Sequence, residues 1–160
     1  MQVAELTADD DTGWVFDVVE RWARCYRWSL RGQTPSPALI EQLLSAGVAL
    51  RRMILTPEGL PAALVQVADV DRDNGHAQLG LLVDPGRVAD VGPSIRIVVD
   101  DAFELLDLRK LCLAVEEGVL DVPTAIGESA CQIGRLRAHE RRADGGYIDV
   151  LVYEIWRDGA

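Results

Sequence analysis

The sequence predicts a mixed α/β fold with a mostly antiparallel central sheet, in the order β-α-α-β-β-β-α-β-(α)-β-β. Three observations predict it. Two segments carry apolar residues at i, i+3, i+4, i+7 and i+11, the period of an amphipathic helix. Between them, three strand-like runs are separated only by turn residues. The chain closes on an alternating segment rich in Tyr, Ile and Val, which follows a Gly-Gly turn. At 160 residues, 49% hydrophobic and 26% charged, residues 1–160 suit one domain with its own core and no need of a disulfide or metal staple.

Val3 to Leu6 reads as a short first strand. Asp9-Asp10-Asp11-Thr12 then caps a helix, because short polar side chains accept orphan N–H groups and negative charge suits the positive helix end. Val15, Val18, Val19, Trp22 and Tyr26 form its inner stripe. Thr34-Pro35-Ser36-Pro37 stops that helix and starts the next, with Pro37 suited to a first turn. Leu39, Ile40, Leu43 and Leu44 form the inner face of this second helix, and Gly47 ends it. Val48–Thr56, Leu60–Ala68 and Ala77–Val83 read as an antiparallel meander. Asp84-Pro85-Gly86 ends the meander. Pro93 opens a long helix with inner residues Ile95, Val98, Val99, Ala102 and Leu106. The apolar run Lys110–Val115 comes directly after it, so strand–helix–strand implies a parallel crossover. Pro123-Thr124 can start a short helix within the weakly patterned stretch 116–133. Arg135–Arg142 and Tyr147–Trp156 form a terminal hairpin.

Composition narrows the function. A net charge of −10 disfavours a nucleic-acid binder, which presents a basic field to phosphates. The most apolar stretch, Leu60 to Val70, is interrupted by Gln66 and Asp69 and is far short of a membrane span. No basic segment followed by an apolar one opens the chain, so a cytoplasmic location is expected. Six acids crowd residues 1–20, and six arginines lie in residues 21–52. That asymmetry reads as solvated faces and internal ion pairs, with a basic wall for an anionic ligand as the alternative. Cys25, Cys112 and Cys131 are odd in number and lack metal-ligand spacing. Asp69-x-Asp71-x-Asp73 imitates a calcium loop, but its sixth position is Asn74 and its twelfth Gly80, so a hairpin turn is expected and no metal.

Two segments carry a family resemblance. One is Ala102-Phe103-Glu104-Leu105-Leu106-Asp107-Leu108-Arg109-Lys110-Leu111 with Cys112-Leu113-Ala114-Val115. The other is Gly134-Arg135-Leu136-Arg137-Ala138-His139 with the run Asp144 to Tyr153. Together with the element order they resemble the GNAT acyltransferase superfamily, in its ribosomal-protein-acetylating branch. The resemblance implies acetyl-CoA or another acyl-CoA as acyl donor. It implies an amine acceptor on a small molecule or a peptide N-terminus, and it allows a homodimer through sheet edges or the last hairpin.

In that family a glycine-rich loop after the fourth strand offers backbone N–H groups to the diphosphate of coenzyme A, and a helix start adds its positive end. The stretch that corresponds is Gly86-Arg87-Val88-Ala89-Asp90-Val91-Gly92-Pro93-Ser94. By resemblance, Arg87, Val88, Ala89, Gly92 and Ser94 are the candidate cofactor residues, and Leu82 or Val83 supplies a backbone N–H to the acyl carbonyl. The stretch departs from the family pattern. It is short, it has two glycines six apart, Asp90 brings a negative charge, and Pro93 has no N–H. The loop therefore fits either a modified cofactor mode, a different ligand, or a chain that no longer transfers acyl groups. The family's usual helix-borne Asn and Tyr are absent from residues 116–132. Candidate proton carriers are then Tyr147 as thiolate acid, and Glu140, Asp149 or His139 as base. Each has a plainer reading as hairpin packing, hydrogen bonding or surface charge. Trp28 and Arg31, beyond the first helical stripe, are the candidate acceptor-binding residues.

Overall fold

The computed structural model describes residues 1–5, 16–17, 36–141 and 145–157. Residues 16–17 are helical, and the rest of the expected first helix lies outside the described residues. Among the described residues seven strands form one sheet: β1 (Gln2–Glu5), β2 (Val48–Leu55), β3 (Pro61–Asp71), β4 (His76–Val83), β5 (Lys110–Glu116), β6 (Ala130–Arg141) and β7 (Tyr147–Trp156). Their order across the sheet is β1-β2-β3-β4-β5-β7-β6. Every neighbouring pair is antiparallel except β4 and β5. The helices described in full are α1 (Pro37–Ser45), α2 (Val88–Leu106) and α3 (Val122–Ile126).

α1 starts as expected. Ser36 accepts a hydrogen bond from the Leu39 N–H at 3.2 Å, and Pro37 occupies the first helical position. Gly47, at φ +68°, follows its end in the left-handed region that glycine adopts without strain. The polar turn between β3 and β4 is built on Asp71, whose carboxylate accepts from the Asn74 backbone N–H at 3.0 Å and side-chain amide at 2.8 Å.

α2 begins five residues earlier than the expected start at Pro93. Val91 is fully buried and extends the stripe of Ile95, Val98, Val99 and Ala102 back by one turn. Burying it favours one more helical turn, and Pro93 sits inside the helix on its exposed side. The cost is the hydrogen bond that a residue here would otherwise donate to the Ala89 carbonyl. β6 also starts earlier than expected, at Ala130, and it is an edge strand exposed along most of its length. An edge strand with both faces wet carries no alternation to read.

The two faces of the sheet differ. α2 packs on the face that carries Ile54, Ala63, Val65, Leu79, Leu81, Val83, Leu111 and Leu113, and together they form the main core. By register Met53, Leu64 and Leu82 make a row on the other face. Arg51 points to that second face and donates to the Leu44 carbonyl of α1 at 2.7 Å, which places α1 there. α3 is stapled to α2 by Arg96, whose guanidinium donates to the Ile126 carbonyl at 2.6 Å and pairs with Asp100 at 2.9 Å. No described helix is long and apolar enough to cross a membrane.

Candidate functional site

β4 and β5 run side by side for only four residues. His76–Leu79 pair with Lys110–Leu113, and the ladder then stops although β4 continues to Val83 and β5 to Glu116. β5 stays paired to β7 as far as Glu116. The two central strands therefore part, and the gap between Gly80–Val83 and Ala114–Glu116 is a slot in the middle of the sheet. One face of this slot is filled by the α2 core, through Leu81, Val83 and Val115.

The backbone donors of the slot follow from register. Asp84 N–H donates to the Ala62 carbonyl at 2.9 Å. Antiparallel pairing alternates, so the Leu82 and Gly80 N–H groups are likewise directed to β3, whereas those of Leu81 and Val83 point away from it. This corrects the expectation for Leu82, whose N–H serves the β3–β4 ladder. By register the Val83 and Leu81 N–H groups lie on the slot side of β4.

Four residues separate the end of β4 from the start of α2, at the open end of the slot. The connection is a tight turn. Asp84 accepts from the Gly86 N–H through its carboxylate and from the Arg87 N–H through its carbonyl, both at 2.9 Å. Asp90 N–H turns back to the Arg87 carbonyl at 2.9 Å. Of the first-turn N–H groups, those of Val88 and Ala89 have no acceptor within the helix. They are the cradle that remains for an anion. Gly92 and Ser94 lie deeper, at the fifth and seventh helical positions, and both are buried. A Cβ on Gly92 would stand 3.0 Å from the Ala125 Cα, so its missing side chain lets α2 and α3 approach. Arg87 faces Asp84 at 3.7 Å. With Asp84, Arg87 and Asp90 together, the turn carries one net negative charge.

The hairpin candidates group among themselves. Tyr147 is 65% exposed and pairs with Arg141. Glu140 lies opposite Ile148 in β6, and two strands separate β6 from β4. At about 4.8 Å per strand that is roughly 14 Å along the sheet. The structure therefore brings Tyr147 and Glu140 onto neighbouring strands and sets Glu140 away from β4. His139 is exposed on the same edge strand. Asp149 is engaged by the hairpin itself. Its carboxylate accepts from the Ala138 N–H at 2.7 Å and from Arg135 at 2.5 Å, and Arg135 also pairs with Glu117 at 2.9 Å. Ala138 has φ +47°, inside a bulge between Leu136 and Glu140. The Ala138 N–H first, and then Arg135, hold the Asp149 carboxyl below the ordinary carboxylate range. A carboxylate so stabilised is a poor base.

That carboxylate gives a testable pH dependence. A lowered folded pKa means that its contribution is present above the unfolded value near 4 and is lost as pH falls through the folded value. The protection factor of the Ala138 amide should then fall as pH drops below the unfolded value near 4 and through the lower folded value, and at neutral pH it should be smaller in Asp149→Ala. Hydrogen exchange measured by NMR checks both. Unchanged protection in the variant would show that the bulge is anchored by something else.

Trp28 and Arg31 lie outside the described residues. Two residues near the slot escaped the sequence reading. Tyr153 is buried, with its hydroxyl 3.4 Å from the Gln132 side-chain oxygen, and burial pushes its pKa up. Gln66 is only 7% exposed, and its Oε1 has no hydrogen-bond partner among the described residues. The signal for Gln66 was available as the one amide within the most apolar run of the chain. Cys112 is half-buried and Cys131 exposed, both as free thiols.

Known structures share this architecture. Spermidine N-acetyltransferase from Vibrio cholerae, in complex with CoA and spermine, superposes with a TM-score of 0.73 at 16% identity, over 97% of this chain and 94% of that one. A protein described as a probable acetyltransferase gives a TM-score of 0.69 at 18% identity, over 97% and 92%. The chain has the GNAT acetyltransferase fold. No protein-family model matches it, and no curated sequence does. At these identities the likeness establishes the fold, and the chemistry must be argued from the GNAT-type slot and turn just described.

Proposed function

We propose that the chain is an acyl-CoA-dependent N-acyltransferase that acts on an amine of a small molecule or of a protein N-terminus. The observation that carries this reading is the parting of β4 and β5 beside the start of α2. A thioester arm laid in that slot would meet outward N–H groups on β4 and a helix N-terminus at its phosphate end. Val88 and Ala89 would hold the diphosphate through their backbone N–H groups, and Leu81 would direct its own at the acyl oxygen. The thioester supplies an activated acyl group. The new C–N bond forms as the C–S bond breaks, the amine gives up a proton, and the departing thiolate takes one. Ala114 is exposed at the β5 edge of the slot, so water there can carry those protons. The structural neighbours act on or bind amines such as spermidine and spermine, which supports an amine acceptor here. Within this reading the ribosomal-protein-acetylating branch, a cytoplasmic location and a homodimer are the finer proposals.

A second reading has an observation of its own. The turn holds one net negative charge and two free first-turn donors, a poor match for a diphosphate. It favours a GNAT-fold protein that has lost acetyl transfer and serves in specialised metabolism or as a ligand-binding or partner subunit. Calorimetric titration with acetyl-CoA and CoA separates the two. The enzyme reading expects micromolar affinity that weakens in Arg87→Ala. Absence of heat at millimolar CoA would retire it in favour of the second.

A further inference from the structure

Gln66 is a buried amide with an unmet hydrogen-bonding capacity beside the slot. Its place comes from register. Arg51, Gln66 and Gly80 are cross-strand partners on the α1 face of the sheet. β4 leaves β5 one residue before Gly80. A Cβ on Gly80 would meet the Gln66 Cγ at 3.0 Å and its Nε2 at 3.4 Å. The side chain therefore lies across β4 at the root of the slot, where the missing side chain of Gly80 leaves it room. Ala114, the small residue that follows the last β5 partner, is exposed. The Arg51 guanidinium is drawn away to the carbonyl of Leu44 in the last turn of α1. An amide oxygen sealed without a partner is a cost that folding alone does not explain.

We propose that Gln66 is a specificity-determining residue, whose amide oxygen receives an N–H of a primary amine entering the slot from the α1 face. The opposite face is closed by the α2 core, and on this face Ala114 is exposed at the β5 edge of the slot, so an acceptor that meets an acyl group there comes in past Ala114. An amide oxygen is not a base at neutral pH. Its role is to orient the amine, and it selects for donors with at least one N–H. This inference rests on the acyltransferase reading for its purpose, though an amine site would stand without it.

Two measurements on the full chain test it. Gln66→Met keeps a straight side chain of similar length at the close approach to Gly80 and removes both polar ends. Its thermal midpoint should rise by a few degrees, because an unsatisfied oxygen has been removed. A fall would mean that the amide is satisfied inside the fold, and it would overturn the proposal. In the second, NMR follows the Gln66 side-chain amide during titration with n-propylammonium chloride and, separately, tetramethylammonium chloride. A saturable shift with the first and at least a tenfold weaker response to the second is expected. Equal responses, or none, would overturn it. CoA is titrated in parallel and read at the Val88 and Ala89 amides. CoA binding without a propylammonium response removes the amine site alone. A propylammonium response without CoA binding upholds the amine site and removes the acyl-donor reading.

Discussion

Gly92→Val should destabilise the protein by about 2–3 kcal/mol, lowering the thermal midpoint by roughly 5–10 °C. The atom in the way is backbone. The new Cβ would stand 3.0 Å from the Ala125 Cα and 3.4 Å from its Cβ, and a main-chain atom cannot swing aside as a side-chain tip can. α3 must move instead. It is tied down by Arg96 to the Ile126 carbonyl and buries Val122, Ala125 and Ile126. Gly92→Ala separates packing from helix propensity. Alanine gains up to about 1 kcal/mol over glycine in a helix interior, which offsets part of the crowding, so its cost should be clearly smaller. Differential scanning calorimetry of the three proteins gives the ranking Gly, Ala, Val in falling stability. A valine variant as stable as the parent would mean that the two helices do not meet as described.

Gly92 also shows what could be read from the chain alone. Its neighbourhood was legible as the start of the long helix, and the apolar period fixed the inner face from Ile95 to Ala102. The first turn was not, because Pro93 reads as a beginning. Only the burial of Val91 reveals that the helix is already under way. The meander was legible because Gly59 and the stretch Asp71–Gly75 punctuate it at turns. The terminal hairpin was legible in β7, which alternates, and less so in β6, which is wet along most of its length. The slot was illegible for a different reason. It arises where one strand pairing stops, and pairing between distant segments leaves no mark on either segment's own pattern. The same holds for Gln66, which needs a glycine fourteen residues later in the chain to lie across. Glu140 and His139 are set back from the slot because β7 lies between β5 and β6, an order the sequence hides.

Asp90→Asn should tighten CoA binding roughly five- to thirtyfold, equivalent to about 1–2 kcal/mol. Asp90 is the third residue of α2, where its carboxylate complements the positive helix end and helps to hold the helix start. A diphosphate in that cradle would draw on the same field, so the two negative groups compete for one favourable position. Two unit charges about 4 Å apart repel by on the order of 4 kcal/mol at an effective dielectric near 20. Asp90 is exposed, and solvent and salt reduce that figure substantially. The gain should therefore shrink as ionic strength rises. The same substitution should lower stability by about 0.3–1 kcal/mol, because the helix end loses its complement. Tighter binding together with weaker folding identifies a carboxylate that holds the anion's place. Arg87→Ala should act in the opposite direction on affinity, since it removes the one positive charge of the turn. Titration calorimetry at two salt concentrations, with thermal unfolding of the same samples, measures all of this. Should Asp90→Asn leave CoA affinity unchanged at low salt, the carboxylate faces away from the phosphates and the charge objection to the acyltransferase reading disappears. Should it weaken binding, Asp90 itself takes part in holding the ligand, through a cation or a protonated group, and the turn is built for something other than a bare diphosphate.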